Sequence, residues 1–146
     1  IERLPTDGLI RPESCNHVPL MRYGAGLPRE QRKDFAGQVD MAPTILGLLR
    51  LPYVQNNFGV DLTTRRREAI FYSADNVVAA RNAEYLYLYS PDAERAYTYA
   101  VDQGKYRPIA ENEATRKLRM LVFANLQTAA KLVREKQTID RKAARH

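Results

Sequence analysis

The sequence predicts a mixed α/β protein with a small antiparallel sheet and a C-terminal helix. A short apolar segment with the features of a helix start lies in the first third of the chain. Closely spaced segments rich in β-branched and aromatic residues follow from residue 69, and apolar residues then recur every three or four positions from 113 to 135. With 146 residues, 45% of them hydrophobic, the chain is long enough to bury a core of its own.

Composition narrows the class of protein further. The single cysteine, Cys15, excludes an internal disulfide framework, and no window approaches 18 uninterrupted apolar residues, so we expect no membrane span. The net charge of +6 is concentrated in Arg65–Arg67 and in the tail from Lys131 to His146. These basic residues are not interleaved with aromatic ones and form no known nucleic-acid motif. We therefore expect solvated basic segments and no nucleic-acid partner.

The first part of the chain is predicted to be mostly loop. Turn-forming residues dominate positions 1–13, and His17–Tyr23 is predicted as a short strand with Pro19 near its start. The chain does not begin with methionine, and no signal-peptide apolar region follows Ile1. We interpret it as a processed chain or as an excised piece of a longer one.

The segment GQVDMAPTILGLLRLPY, residues 37–53, is predicted as a helix. Asp40 is expected to be its N-cap, and Pro43 then falls in the first turn, where its missing N–H has no helical partner to lose. The apolar run at 45–49 predicts a helix buried on most sides, and Pro52 is expected to end it.

The second half is predicted as hairpins followed by a long helix. Short separations between the strand candidates require antiparallel pairing, and in Tyr85–Tyr89 alternating tyrosine and leucine predict a strand covered on both faces. We expect the tyrosines to pack in the core rather than stack on a ligand. Asn112 is expected to cap an amphipathic helix over 113–135. The predicted strands are 69–73, 77–81, 85–89 and 96–101.

Four ordered segments resemble a known family. They are HVPLMRYGAGL, GQVDMAPTILGLLRLPY, NNFGVDL and AIFYSADNVVAARNAEYLYLY, and they lie between Ile10 and Tyr89. Together they resemble the C-terminal part of the sulfatase-like catalytic domain of the alkaline phosphatase superfamily. The nearest likeness is to the lipoteichoic acid synthase and phosphoglycerol transferase branch. The final helix carries no distinctive match.

The resemblance implies a metal-dependent enzyme that acts on phospho- or sulfo-esters outside the cytoplasm. Such enzymes use a Thr, Ser or formylglycine nucleophile held by one or two divalent metals, and most of the ligands precede the Val-Pro strand. This chain lacks the expected Asp-His pair and the nucleophile segment, and its two histidines, His17 and His146, cannot form a histidine-rich metal site. The catalytic residues are therefore expected upstream of Ile1. The expected metal (Mn, Mg, Zn or Ca) belongs to the full-length parent and not to this chain.

The same resemblance implies partners and a division of the chain. Residues 1–64 are expected to complete the α/β core, and residues 65–146 to form the small subdomain with its helix and basic tail. The expected partners are the N-terminal remainder of the catalytic domain and an anionic ester substrate. Any membrane attachment is expected only through upstream helices.

Individual residues carry further expectations. Glu13 and His17 are candidates for the active-site rim, because many sulfatases place a Glu in a Glu-x-x-x-Arg-Val-Pro context, although here His17 replaces the arginine. For both, a solvated structural role is the simpler alternative. Asp40, Pro43 and Thr44 are expected to form a structural motif, with Asp40 as a cap rather than a ligand.

Two other polar residues are expected to have local roles. Asp61 is expected to orient a turn, and Arg81 to pair with Glu84 or Asp75 or to face an anion.

A second class of function stays open from the residues alone. The chain could be a non-catalytic module that binds an anionic polymer or a protein through its basic surface. A severed subdomain should expose a large apolar surface, whereas a self-sufficient module should not.

Overall fold

A computed structural model describes residues 17–74 and 76–137. A 3-10 turn at Gln38–Asp40 leads directly into the first helix. The elements are α1 (Met41–Leu48), β1 (Ile70–Ala74), β2 (Val77–Arg81), β3 (Tyr85–Ser90), β4 (Arg95–Asp102), β5 (Lys105–Pro108) and α2 (Glu113–Arg134).

The five strands form one antiparallel meander in the order β1-β2-β3-β4-β5. The predicted antiparallel sheet is therefore confirmed, and each of the four predicted strands is present within one or two residues. The fifth strand was not predicted. It follows β4 through a two-residue turn at Gln103 and Gly104, which have positive φ angles of 47° and 78°. Both central residues of such a tight hairpin turn need this left-handed backbone.

The sheet carries an apolar cluster on each face. On one face, Val78, Ala80 and Tyr87 pack against Leu118 and Val122 of α2. On the other face the buried residues are Val77, Ala79, Leu86, Leu88 and Tyr99. The central strand β3 thus has both faces covered, and its buried Tyr87 and the buried Tyr99 of β4 are core residues, as predicted.

Helix α2 begins and ends with well-formed caps. The Asn112 side chain accepts a hydrogen bond from the Thr115 backbone N at 2.9 Å, and the Thr115 hydroxyl accepts one from the Asn112 backbone N at 2.8 Å. At the C-terminus, Lys136 takes a left-handed φ of 52°, and the Gln137 N–H donates to the Leu132 carbonyl at 2.8 Å. The predicted helix and its Asn112 cap are confirmed.

The strand predicted at His17–Tyr23 was wrong, because these residues form no strand in the structure. Val18, Leu20, Met21 and Tyr23 are all at least half exposed. A β-strand needs a neighbouring backbone to pair with and a surface to cover its apolar side chains. The described part of the chain supplies neither to this segment.

The prediction of a mostly buried α1 was also wrong. Pro43 and Thr44 are buried, but Ile45 is 50% and Leu49 62% exposed. The helix ends at Leu48, earlier than the proline at 52 would require. Its end is closed by a left-handed Arg50 with φ of 53°, whose N–H donates to the Gly47 carbonyl at 3.0 Å.

The described part of the segment before the sheet contacts both the sheet and the end of α2. Phe35 and Arg67 form an isolated antiparallel bridge, and the Arg81 guanidinium lies 5.8 Å from the centroid of the Phe35 ring. The Asn56 side chain donates to the Gln137 carbonyl at the end of α2. The division at residue 64 stays a prediction.

Candidate functional site

The polar centre of the first segment is the Asp40 carboxylate, which is fully buried. Its Oδ1 accepts from the Val60 backbone N at 2.8 Å, and its Oδ2 accepts from the Gly37 backbone N at 2.8 Å. Arg67 adds a two-pronged contact, with Nε 2.7 Å from Oδ2 and Nη2 2.6 Å from Oδ1. We call Gly37, Asp40, Val60 and Arg67 the clasp. It joins three stretches of chain through one carboxylate.

The clasp corrects the predicted role of Asp40. Asp40 has helical backbone angles of −85° and −10°, and its side chain makes no capping hydrogen bond to α1. The reason is the 3-10 turn at 38–40, which starts the helical backbone before Asp40 and frees its carboxylate to bind the Gly37 amide behind it. Asp40 holds the start of the helix to residues 60 and 67 instead of capping it.

The electrostatics of the clasp favour a permanently charged carboxylate. Burial on its own would raise the pKa of Asp40, but the hydrogen bonds from Arg67, Gly37 and Val60 and the guanidinium charge outweigh it and lower the pKa below the usual range. A carboxylate with a lowered pKa, fully engaged by four donors, does not exchange protons near neutral pH. The chemistry of this cluster is therefore that of a structural ion pair.

Thr44 and Gly59 complete the contact between α1 and the segment at 58–62. The Thr44 hydroxyl accepts from the Leu62 N at 3.1 Å and lies 3.5 Å from the Val60 carbonyl. A Cβ placed on Gly59 would lie 2.2 Å from the Val39 carbonyl oxygen. The backbones thus approach so closely that only glycine fits at position 59.

Asp61 organises the turn that follows, as predicted. Its Oδ1 accepts from the backbone N of Thr63 at 2.8 Å and from the Thr63 hydroxyl at 2.6 Å. The same carboxylate lies against α1, because a Cβ on Gly47 would come within 2.1 Å of Oδ2.

Arg67 is the residue that sequence reasoning missed. We predicted it to be solvated with its neighbours in the arginine run, but its side chain is only 20% exposed. It also donates to the Phe58 carbonyl. Nothing in the local sequence separates Arg67 from Arg65 and Arg66. Its direction is set by distant residues, through the backbone bridge to Phe35 and the side-chain contacts to Asp40.

An open cleft of about 610 Å³ lies between residues 30–34 and 63–66, and we call it the basic cleft. Four of its lining residues are cationic and two are acidic. Arg32 ties its two walls together, since its Nε and Nη2 bind Asp34 at 2.9 and 2.7 Å while Nη1 donates to the Leu62 carbonyl at 2.6 Å.

The remaining candidate residues are not gathered into one site. Glu13 lies outside the described residues, and so does Asp75, one of the expected partners of Arg81. His17 is exposed at the start of the first described range, and no hydrogen bond or ion pair to it is observed there. The Arg81 guanidinium lies 5.8 Å from the ring centroids of both Phe35 and Tyr106, a cation–π arrangement.

Two further findings concern residues 17–74 and 76–137 alone. These ranges contain no group of three His, Cys, Asp or Glu side chains placed to hold a metal ion. They also contain no helix long and apolar enough to cross a membrane.

The chain matches no protein-family model, no curated protein and no solved structure.

Proposed function

We propose that this chain is the C-terminal part of a metal-dependent, sulfatase-like hydrolase or transferase that acts on phospho- or sulfo-esters. The phosphoglycerol transferase branch is the nearest likeness. The nucleophile and the ligands for a divalent metal would precede Ile1, and the enzyme would work outside the cytoplasm. In such an enzyme the metal supplies the charge neutralisation and the activated nucleophile.

The observation that carries this proposal is the unpartnered apolar surface of the first segment. Residues 18–23 have the composition of a strand but neither pair nor pack, and α1 with the residues after it exposes further large apolar side chains. Large exposed apolar patches mark interfaces, and these side chains would supply the apolar groups of one. The exposed residues of these two stretches include Val18, Leu20, Met21, Tyr23, Ile45, Leu49, Leu51 and Val54.

The occupant we propose is the N-terminal remainder of the same catalytic domain. A strand-forming segment without a neighbouring strand is what remains at the edge of a larger sheet whose other strands come from elsewhere in the protein. The catalytic groups that the resemblance requires would lie in that same remainder.

The contacts between the family-like motifs also support the proposal. The Asp-x-x-Pro-Thr helix and the Phe-Gly-x-Asp-Leu segment meet through Asp40 with Val60, Thr44 with Leu62, and Gly59 with Val39. The two motifs, each of which is a weak match to the family alone, thus form one closely packed unit. The role of Asp40, Pro43 and Thr44 in this unit is to hold shape and not to break bonds.

The experiment is the mass of the native protein in its source cells, detected with an antibody raised against this chain. We expect a species several times heavier than 16.7 kDa. In that species, cleavage of a phosphodiester or sulfate ester should be lost on chelation and restored by a divalent metal. A native species of 16.7 kDa would overturn the enzyme proposal.

That outcome would leave the second candidate, a non-catalytic module that binds an anionic polymer or a protein partner. The basic cleft is the specific observation that favours it.

A further inference from the structure

We propose that the basic cleft binds a small oxyanion that carries more than one negative charge, such as pyrophosphate, phosphate or sulfate. This inference does not depend on the chain being part of an enzyme, because it uses only the charges and contacts of residues 30–34 and 63–66 and their neighbours. It assigns a ligand class and a location to a basic surface for which the sequence left solvation and binding of an anionic polymer or a protein open as alternatives.

The charges of the cleft do not cancel. Both of its acidic residues are already engaged in ion pairs. Asp34 lies 2.7 Å from Arg32, and Glu30 lies 3.3 Å from Arg22, a residue outside the cleft. The remaining cations are Lys33, Arg65 and Arg66.

Those three cations are poorly neutralised. Arg66 is 3.8 Å from the already occupied Asp34 carboxylate, and its side chain is 78% exposed. Neither Lys33 nor Arg65 has an ion pair with any residue that the structure describes. A concave surface with uncompensated positive charge concentrates anions, and the attraction increases with the charge of the anion.

The walls of the cleft are held in place without a ligand. Arg32 links Asp34 to the Leu62 carbonyl, and the Asp61 turn fixes the other wall, where the Arg65 N–H donates to the Asp61 carbonyl at 3.0 Å. A ligand that enters therefore has little backbone to order, which favours binding.

The hydroxyl groups of the cleft predict its selectivity. The Thr63 hydroxyl donates to the Asp61 carboxylate at 2.6 Å, and the Thr64 hydroxyl donates to the Asp61 carbonyl at 3.2 Å. Each hydroxyl has one proton, so neither is free to donate to a ligand. Recognition would then come from the cations, and the cleft should distinguish anions by charge more than by whether phosphorus or sulfur is at the centre.

The test is a calorimetric titration of the chain at low salt with inorganic pyrophosphate, phosphate, sulfate and nitrate. Parallel NMR spectra would locate the binding site. The decisive variant is Lys33→Gln with Arg65→Gln, and the matched control is Lys131→Gln with Arg134→Gln, which removes one lysine and one arginine at the end of α2. Arg65→Lys keeps the positive charge, so it shows whether a loss of binding comes from the missing charge or from a substitution at this position that disturbs the fold.

We expect saturable binding of pyrophosphate, weaker and mutually similar binding of phosphate and sulfate, and the weakest binding of nitrate. Amide shifts should centre on residues 30–34 and 63–66. The Lys33/Arg65 variant should lose at least about fivefold in affinity, since each charge-assisted contact is worth more than a surface pair. The control and Arg65→Lys should stay within about twofold to threefold of the parent.

Three outcomes would overturn the proposal. One is the absence of saturable binding of pyrophosphate, phosphate and sulfate alike. Another is an equal loss in the control variant, which would mean that only net charge matters. The third is attraction to vesicles of phosphatidylglycerol without binding of any small oxyanion, which would indicate a membrane-surface interaction instead. None of these outcomes bears on the native mass, so this test and that of the proposed function fail separately.

Discussion

The replacement Arg67→Gln should destabilise the first segment because it leaves the buried Asp40 carboxylate without its counter-charge. Arg67 makes both side-chain contacts to Asp40, at 2.6 and 2.7 Å, and Asp40 is fully buried. Removing one partner of a buried ion pair costs about 3–5 kcal/mol. Here the Gly37 and Val60 amides still bind the carboxylate, so we expect about 2–4 kcal/mol.

The assay for this change is urea denaturation combined with hydrogen exchange. The exchange of the Val60 amide should accelerate most, since that amide is bound by the orphaned carboxylate. The control is Arg66→Gln, the same substitution one residue away on a side chain that is 78% exposed, and it should cost less than about 0.5 kcal/mol.

A double-mutant cycle separates the ion pair from other contacts of Arg67. Asp40→Asn with Arg67→Gln should be less destabilising than the sum of the single changes, with a coupling energy above about 1 kcal/mol. The reasoning is refuted if Arg67→Gln costs no more than Arg66→Gln, or if the two single changes are additive. Additivity would mean that the carboxylate is stabilised by its backbone donors alone.

The remaining predictions concern pH, a close backbone approach and a strained residue. Since the folded-state pKa of Asp40 is lowered, its contribution is fully present above the unfolded value of about 3.9 and is lost as the pH falls through the folded value. The difference in unfolding free energy between the parent and Asp40→Asn should therefore narrow from pH 7 to pH 3, and a constant difference would contradict this. Gly59→Ala should lower stability by about 1–3 kcal/mol in thermal melts because its Cβ would lie 2.2 Å from the Val39 carbonyl oxygen. Gly24→Ala, whose Cβ meets only an ordinary contact at 3.6 Å, should change stability little, and equal effects would refute the argument. Arg50→Gly should raise stability by about 0.5–1 kcal/mol, since it relieves the left-handed φ of 53° at the end of α1, and an unchanged melting temperature would count against it.

The sheet and α2 were predictable because their signals are local. Short segments rich in β-branched and aromatic residues marked β1 to β4, and Asn112 with the apolar stripe behind it marked α2. The short β5 was missed because it reads Lys-Tyr-Arg-Pro, which has no alternating apolar pattern and ends in a proline. An edge strand of this kind forms because it pairs with the neighbouring strand, here β4, and its own sequence does not indicate a strand.

The wrong predictions for the segment 17–23 and for α1 have the opposite cause. The segment 17–23 and α1 have apolar residues with the spacing of buried elements, and the structure leaves those residues exposed. Local pattern shows what a segment can bury, but not whether a surface is present to bury it against. The clasp could not be predicted from the sequence for a related reason. Its two charged residues are 27 positions apart, and each has many possible partners in the sequence.

The three arginines at 65–67 have two different structural roles. Arg67 turns inward to the buried Asp40, whereas Arg65 and Arg66 line the open cleft. The two sites are connected, because Asp61 holds the turn that carries Arg65 while the neighbouring Val60 amide binds Asp40. The clasp thus helps to fix the course of the chain at residue 67. It thereby helps to orient Arg65 and Arg66 toward the cleft. On this view the buried ion pair contributes shape to the anion site, and the exposed cations contribute its charge.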